Sequence, residues 1–375
     1  MLPWQYSRPR PAPPARHDYD DPGEDHPRMA DGVVATPAGE VVRVRTRVGL
    51  GERLAALAAG LEPERAAHHV VPALYAVGDP GPDTPVLACS NHKSEFDALR
   101  TGLGRSRTGR NAWILVLDTQ GRRAWTAARQ GYATTSGLMA AAEAANLRAI
   151  APHGVLLLPP QFATVLSLQE AAEATGFEAV WGPHRPDDAG ACLDAGLRCD
   201  EAMRRPRFPL AERLALAPAA LWRLRRVAFW ALVACLVLSA PGPWGLSMRH
   251  AAADGQLLAL ALLLGVLAGA VLTPALLPWL PGRALAVRGA CAGLLAALPL
   301  VLALGARPGP LASAALTLAV AATASRLASD LARTPEHPEL ADAAGDPRRF
   351  GPWQWIAAAL AVILWLFRGL TPGGL

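Results

Sequence analysis

The stretch "NAWILVLDTQGRRAWTAARQG", residues 111–131, decides how the N-terminal half of this chain is read. Its first part, "AWILVLDT", runs apolar without alternation up to Asp118. That is the pattern of a strand buried on both faces of a sheet. Its second part is short and rich in small residues, with Trp125-Thr126-Ala127-Ala128 at the centre. A strand that ends in Asp-Thr-x-Gly and enters a short helix marks a place where α/β sheets seat ligands. Yet 121–131 carries no obvious catalytic side chain.

Working outward, "VVPALYAV", "PVLAC", "VLLLP" and "FEAVWG" read as further short buried strands between about 68 and 205. Helical stretches lie between them near 94–102, 134–147, 164–176 and 187–195. The alternation predicts an α/β domain with a mostly parallel sheet covered on both faces. Ligands then sit outside the carboxyl ends of the strands, so Ser90–Lys93, Asp118–Gln130, Pro159–Gln161 and Gly182–Arg185 share one rim. On that rim Ala127 and Ala128 permit close approach of a flat ligand, and Gly131 lets the chain leave the helix. Composition alone favours an ordinary crossover helix packed on the sheet.

The 375 residues allow two or three domains, and they divide into unlike parts. Residues 1–38 hold eight prolines and few large apolar groups, and are expected to be a disordered tail. No apolar h-region follows Met1, so no signal peptide is expected. Residues 39–218 form the expected α/β domain and 219–375 an expected transmembrane domain. Apolar spans fall at about 227–248, 255–280, 286–306, 308–326 and 352–369. Each is long enough to cross ~30 Å of hydrocarbon as a helix. Trp230, Trp244, Trp279, Trp353, Trp355 and Trp365 suit interfacial belts.

Arg223, Arg225, Arg226, Arg283, Arg288, Arg326, Arg333, Arg348 and Arg349 fall on one side of five spans. Only Arg249, Arg307 and Arg368 fall on the other. The positive-inside rule then predicts a multi-pass protein of the cytoplasmic membrane, with its soluble domain inside and its C-terminus outside. The spans carry no Asp, Glu, Lys or Arg in their middles, which favours an anchor over an ion-coupled transporter.

Several chemistries find no support. There is no GxSxG elbow, no HExxH, no GxGxxG and no Walker A loop. A net charge of +5 without basic tracts gives no reason to expect nucleic acid. The five cysteines, Cys89, Cys192, Cys199, Cys235 and Cys291, form no CxxC pair. They predict neither a zinc site nor an iron–sulfur cluster nor a disulfide framework. Lys93 is the chain's single lysine.

Residues 111–131 resemble the cap-helix region of the HgcA-like corrinoid proteins, membrane-anchored proteins of microbial mercury methylation. That group is related to the corrinoid iron–sulfur protein of the acetyl-CoA pathway. The family signature there is Asn-(Val/Ile)-Trp-Cys-Ala-(Ala/Gly)-Gly-Lys. "LYAVGDPGPDTPVLACSNHKSEFDALR" (74–100) is similar to its upstream strand and Asn-x-Lys-x-x-Phe-Asp segment. "ATGFEAVWGPHRPDDAGACLDAG" (174–196) and "EAMRRPRFPLAERLALAP" (201–218) are similar to its downstream end. About 150 residues are covered, followed by the expected spans.

The resemblance implies a Rossmann-like domain that holds a cobamide base-off, with the cap helix facing the cobalt, and carries a methyl group on that metal. The metal does the chemistry in such a protein, and the chain supplies seating and electronics. A lower-ligand DxHxxG motif is absent, in keeping with a base-off seat. The implied cofactor residues are Asn91, Lys93, Asp118, Trp125, Thr126, Ala127, Ala128, Gly131, Pro159, Gly182 and Pro183. Thr126 holds the catalytic position, with no protein metal ligand. Implied partners are a ferredoxin-like iron–sulfur electron donor, a methyl donor protein or methyl-tetrahydrofolate-type system, and membrane lipid.

The departures lie in the signature itself. Thr126 stands where the family has Cys, Arg123 where it has Asn, and Arg129-Gln130 where it has Gly-Lys. The family's thiolate is expected to ligate cobalt and favour transfer to Hg(II). A neutral hydroxyl is a poor ligand for that metal. The corrinoid iron–sulfur branch aligns with Thr here. Three readings therefore stand: a membrane-anchored corrinoid methyl carrier or methyltransferase, a mercury-methylating protein, and a non-catalytic membrane scaffold with a degenerate site.

Overall fold

A computed structural model describes residues 29–61, 69–107, 111–204, 207–239, 241–242, 245–246, 248–305, 309–331 and 347–367. Two compact units divide the chain in the main between residues 206 and 207. The boundary expected at 218 falls instead inside one continuous helix, Leu210–Ser239. Pro218 is accommodated within that helix.

The first unit is built on a seven-stranded mixed sheet. In chain order the strands are β1 (Ala30–Thr36), β2 (Gly39–Val44), β3 (Leu74–Val77), β4 (Val86–Ser90), β5 (Ala112–Leu117), β6 (Val155–Leu158) and β7 (Glu178–Trp181). Their spatial order is β1-β2-β3-β5-β4-β6-β7. The strands β5, β4, β6 and β7 run parallel to one another, and β2 runs parallel to β3. β3 pairs antiparallel with β5, and β1 with β2, so the sheet is mixed but mostly parallel, as expected. β1 also lies within the tail expected to be disordered. Residues 30–44 alternate Val with small and charged residues around a Pro-Ala-Gly turn, a hairpin signal that the proline count of 1–38 obscured. Residues 1–28 lie outside the described residues.

The helices of this unit are α1 (Leu50–Leu61), α2 (Lys93–Arg105), α3 (Ala124–Gln130), α4 (Thr135–Ala144), α5 (Leu168–Thr175) and α6 (Ala189–Asp194). β3, β4 and β5 are buried at every position, which is what their unbroken apolar runs require. Successive residues point to opposite faces, and each face has its own core. Ala88, Trp113, Leu115 and Leu156 meet α3, α4 and α5 on one side. Leu87, Cys89, Ile114 and Val116 meet Phe96, Leu99 and Leu103 of α2 and Cys192 and Leu193 of α6 on the other. Cys192 is bonded to Cys199, a disulfide that the scattered cysteine count did not suggest. The tight turn after α6 brings their Cα atoms to 4.9 Å, within bridging range.

α1 is fastened to α2 by a buried charge network. Arg100, fully buried, donates to Asp97 at 2.7 Å, Glu52 at 2.6 Å and the Arg45 carbonyl at 2.6 Å. Lys93 Nζ pairs with Asp97 at 2.5 Å and lies 3.7 Å from Glu52. Two cations thus balance two carboxylates, one of each on either side of the next. The Glu52 carboxyl is held below its usual range: burial opposes the shift, while the Gly49 N–H, Arg100 and Lys93 outweigh it.

The second unit is helical: α7 (Leu210–Ser239), α8 (Met248–Leu267), α9 (Leu285–Leu304), α10 (Gly309–Leu331) and α11 (Pro347–Leu366). α8 continues through a π-helical turn, Ala268–Leu272, into Thr273–Ala275. Among the described residues, three helices are long and apolar enough to cross a membrane: Gly255–Ala275, Leu285–Leu304 and Gly309–Leu331. The count of five is therefore not met by length and composition. The apolar part of α7 begins only after Arg226 and its helix ends at Ser239, and the apolar part of α11 is Ile356–Leu366. α10 is gripped on two sides by glycines spaced four apart. A Cβ on Gly265 or Gly269 would collide with Thr323 or Leu327, and one on Gly289 or Gly293 with Ala328 or Ala321. Such small-residue faces let apolar helices approach where no hydrophobic force between them exists. Arg213 on α7 donates to the Pro274 and Ala275 carbonyls at 3.4 and 2.9 Å, covering a helix end that proline cannot continue.

Replacing Lys93 with Met removes one of the two buried cations and leaves the carboxylates undercompensated. The expected loss is about 3 kcal/mol of stability in the α/β unit. Denaturant unfolding of the full chain in detergent, followed by the fluorescence of buried Trp113, checks it.

Candidate functional site

The order of the parallel strands fixes where a ligand can sit. From β4 the chain crosses to β5 on one side and then returns past β4 to β6 on the other. The carboxyl ends of β4 and β6 therefore flank a topological switch point, the place where open α/β sheets form their crevice. The segments Ser90–Lys93, 118–130, 159–161 and 182–185 follow the ends of β4, β5, β6 and β7, so all four reach that rim.

A cleft of about 40 Å³ opens there. β4 contributes Leu87–Cys89, α2 Glu95 and Leu99, and α3 Ala124. Leu157, Leu158, Pro159 and Gln161 come from β6 and the turn beyond it, and Gly182, Pro183 and His184 from beyond β7. Of the residues singled out from the sequence, Pro159, Gly182 and Pro183 line the cleft. The others occupy the two walls that hold α3 over it.

Asn91 is one such wall. It is fully buried, and its Oδ1 accepts from Thr119 N (3.2 Å), Thr119 Oγ1 (2.7 Å) and Gly121 N (2.8 Å). The turn it binds is tight: Gln120 and Gly121 both have positive φ, 56° and 68°, and Arg122 N–H closes onto the Thr119 carbonyl. Asp118 Oδ1 accepts from Gln120 N at 2.9 Å and so stiffens the same turn. The Asn91 Nδ2 is buried without a hydrogen-bond partner. Lys93, two residues on, is 4% exposed and committed to the Asp97–Glu52 network described above.

Glu95 is the second wall, and the sequence did not announce it. Its Oε2 accepts from Ser90 Oγ at 2.5 Å and from the Ala124 backbone N–H at 3.0 Å. Arg123, the residue before α3, supplies no side-chain cap to that helix. Its charge instead acts on Glu95. Burial nevertheless dominates and pushes the Glu95 carboxyl above its usual range. Cys89 beside it is a buried thiol, pushed well up by burial and then by Glu95, and stays protonated. His184 is shifted down by burial and by Arg185, so it is neutral at neutral pH. Position 95 is three residues beyond the His92 cap of α2, where an acid reads as an ordinary first-turn residue. Its reach to a second helix depends on tertiary contact.

α3 itself is two turns long. Ala124, Ala127 and Ala128 are buried against Leu117, Ala133 and Phe162 in the sheet core. Their small size therefore serves helix-to-sheet packing, where the sequence reading assigned it to an approaching ligand. Thr126 is 5% exposed. Gly131 takes φ 77° and ends the helix with its N–H on the Ala127 and Ala128 carbonyls, as expected of a C-terminal glycine. Two arginines of this stretch turn back on aromatic rings of the protein. Arg129 stacks over the Trp125 ring at 4.8 Å and Arg122 over Tyr132 at 5.6 Å.

At the cleft the Ser90 hydroxyl is already committed to the Glu95 carboxyl. Among the described residues no group of three or more His, Cys, Asp or Glu is placed to hold a metal ion. What the cleft offers is an apolar floor, backbone at Pro159 and Gly182-Pro183, and one unpaired amide atom, Gln161 Oε1; a second, Asn91 Nδ2, is buried at the end of β4. Those features suit a large ring fringed with amides. The volume does not, since pockets for ligands of that class are ~300 Å³ or more.

No family model matches the chain. Over 118 residues it is 27% identical to the acetyl-CoA decarbonylase/synthase complex subunit gamma of Methanopyrus kandleri, covering 32% of this chain and 25% of that protein. Over 115 residues it is 31% identical to the subunit of the same name from Archaeoglobus fulgidus, covering 30% of this chain and 23% of that protein. The chain thus spans about a quarter of the length of the curated relatives it matches, and its likeness to them is distant.

Proposed function

We propose that this chain is a membrane-anchored cobamide-binding protein that carries or transfers a methyl group. The observation that carries the proposal is the short alanine-seated helix α3, whose first residue lines a switch-point cleft. Its sequence resembles a corrinoid cap helix, and the chain is distantly similar to a subunit of the acetyl-CoA decarbonylase/synthase complex. In this reading the α/β unit is Rossmann-like and the cobamide is held base-off.

When bound, the cobamide supplies the methyl-bearing metal. The chain's residues do the rest. Pro159, Gly182 and Pro183 supply a floor without bulky side chains, and the unpaired amide atoms of Asn91 and Gln161 are available to polar groups at the ring edge. Asn91 and Asp118 hold the turn before α3, while Lys93 acts through the network that fixes α2. Trp125, Thr126, Ala127, Ala128 and Gly131 form the cap. Thr126 offers a hydroxyl where mercury methylation calls for a thiolate, so general methyl transfer is favoured over Hg(II) as acceptor. A ferredoxin-like donor and a separate methyl donor complete the system.

Purified full-length protein, equilibrated with hydroxocobalamin under reducing conditions, is expected to co-elute with about one cobamide per chain and to change its visible spectrum. Failure to retain any cobamide would remove this reading together with its mercury-methylating variant, leaving the scaffold. Thr126→Cys is expected to switch on methylmercury formation only in the mercury-specific variant. No gain in that mutant, with cobamide still bound, supports the general carrier.

In this reading the membrane unit anchors the chain, and the arginine distribution over five spans favours a cytoplasmic α/β unit. The Cys192–Cys199 bridge pulls the other way, because a reducing cytosol disfavours disulfides. Protease added to sealed right-side-out vesicles is expected to spare residues 29–204. Cleavage there would put the α/β unit outside.

A further inference from the structure

Of the residues lining the cleft, Glu95 alone carries a carboxyl, and neither the fold nor the transfer chemistry requires an acid there. We propose that Glu95 is a positioning residue that latches α3 over the cleft, one oxygen holding the first N–H of α3 and the Ser90 hydroxyl of β4 together. The inference rests on the cobamide-binding reading, since it is the entry of a large ring that requires α3 to lift.

The geometry makes this latch decisive for α3. The helix is seven residues long, and its own N-cap residue gives it no side-chain bond. It is flanked by left-handed backbone at both ends, Gln120-Gly121 before it and Gly131 after it. The preceding turn is pinned by Asn91, so motion of α3 pivots about that turn and breaks the Glu95 contact. Ser90 and Glu95 belong to the β4–α2 connection, which is buried and fixed by the Lys93–Arg100 network. The latch thus joins a rigid part to a short helix whose first residue lines the cleft.

The state of the carboxyl sets the latch strength. The ionisable groups facing it are Cys89 on β4, Arg123 ahead of α3 and, across the same cleft, His184 beyond β7. Burial under α3 raises the Glu95 pKa despite Arg123, Ser90 and Ala124. Lifting α3 admits water and returns the carboxyl toward its ordinary range. The closed form therefore binds the proton more tightly than the open form. It is held hardest at low pH and loosens as pH rises through the raised value. In the protonated acid Oε2 still accepts both donors, and a glutamine amide oxygen imitates it.

Hydrogen exchange on the full chain in detergent, without cobamide, tests the latch. In Glu95→Ala the amides of 124–131 are expected to exchange about tenfold faster, the scale of one lost capping interaction. Those of β4, β5 and β6 keep their protection. Glu95→Gln is expected to protect α3 at all pH values, where the wild type loosens as pH rises. Ser90→Ala, which keeps the carboxyl, is expected to speed exchange by a smaller factor and serves if the Glu95→Ala chain does not fold. Wild-type exchange of α3 in Glu95→Ala, or a wild-type pH response in Glu95→Gln, would overturn the latch. Hydroxocobalamin uptake, followed by its visible spectrum, is expected to be faster in Glu95→Ala, and an unchanged rate would overturn the coupling to loading. Absence of uptake in every form defeats the cobamide reading alone, because exchange still judges the latch.

Discussion

Three donors converge on one buried oxygen, Asn91 Oδ1, and the site depends on that convergence. Asn91 follows β4, while the donors lie beyond β5, its parallel neighbour. The side-chain amide thereby extends the β4–β5 pairing past the end of the strands, where the backbone ladder has stopped at Ser90 and Leu117. It stabilises a turn with two left-handed residues, one of them a glutamine that disfavours that conformation. The start of α3 is then fixed in space, and so is the reach of Glu95 to Ala124. Without that oxygen the turn would leave Thr119 and Gly121 N–H groups buried and unpaired, at a cost of about 1–3 kcal/mol each.

The strands around this point were legible because buried parallel strands leave a plain trace. Ala112–Leu117 and Val86–Ser90 admit no charge, and their ends fall where the apolar runs end. The rim followed from those ends by topology alone. The antiparallel pairing of β3 was not legible, since an apolar run has no direction written into it. Nor was the hairpin of β1 and β2, whose strands are exposed on one side and lie beside a proline-rich tail. The apolar length at 227–248 was visible, yet the helix that carries it stops at Ser239.

At the site the division is different. Asn91 and Gly131 could be picked out, one as an amide on the rim and the other as a helix stop. Lys93 was conspicuous as the chain's lone lysine, but its ammonium serves a network whose other members, Glu52 and Arg100, come from two helices. Glu95 was invisible for the reverse reason. A glutamate in the first turn of a helix is ordinary, and its partner is a backbone N–H, which every residue but proline possesses. Contacts between a side chain and main chain far away in sequence leave no pattern to read.

The alanines of α3 now have a physical account. A helix seated on the sheet through Ala124, Ala127 and Ala128 buries only methyl groups. Leucines at those positions would bury nine further carbon groups, on the order of 7 kcal/mol more at ~0.8 kcal/mol each. A helix so held would not leave the sheet on any useful timescale. Seated on alanine, α3 draws little from apolar burial, and its end contacts, the Glu95 latch and the Asn91-bound turn, weigh more in holding it. Small residues in a reactive place are therefore what a removable cover requires: close packing when shut, and little apolar surface to expose when it opens.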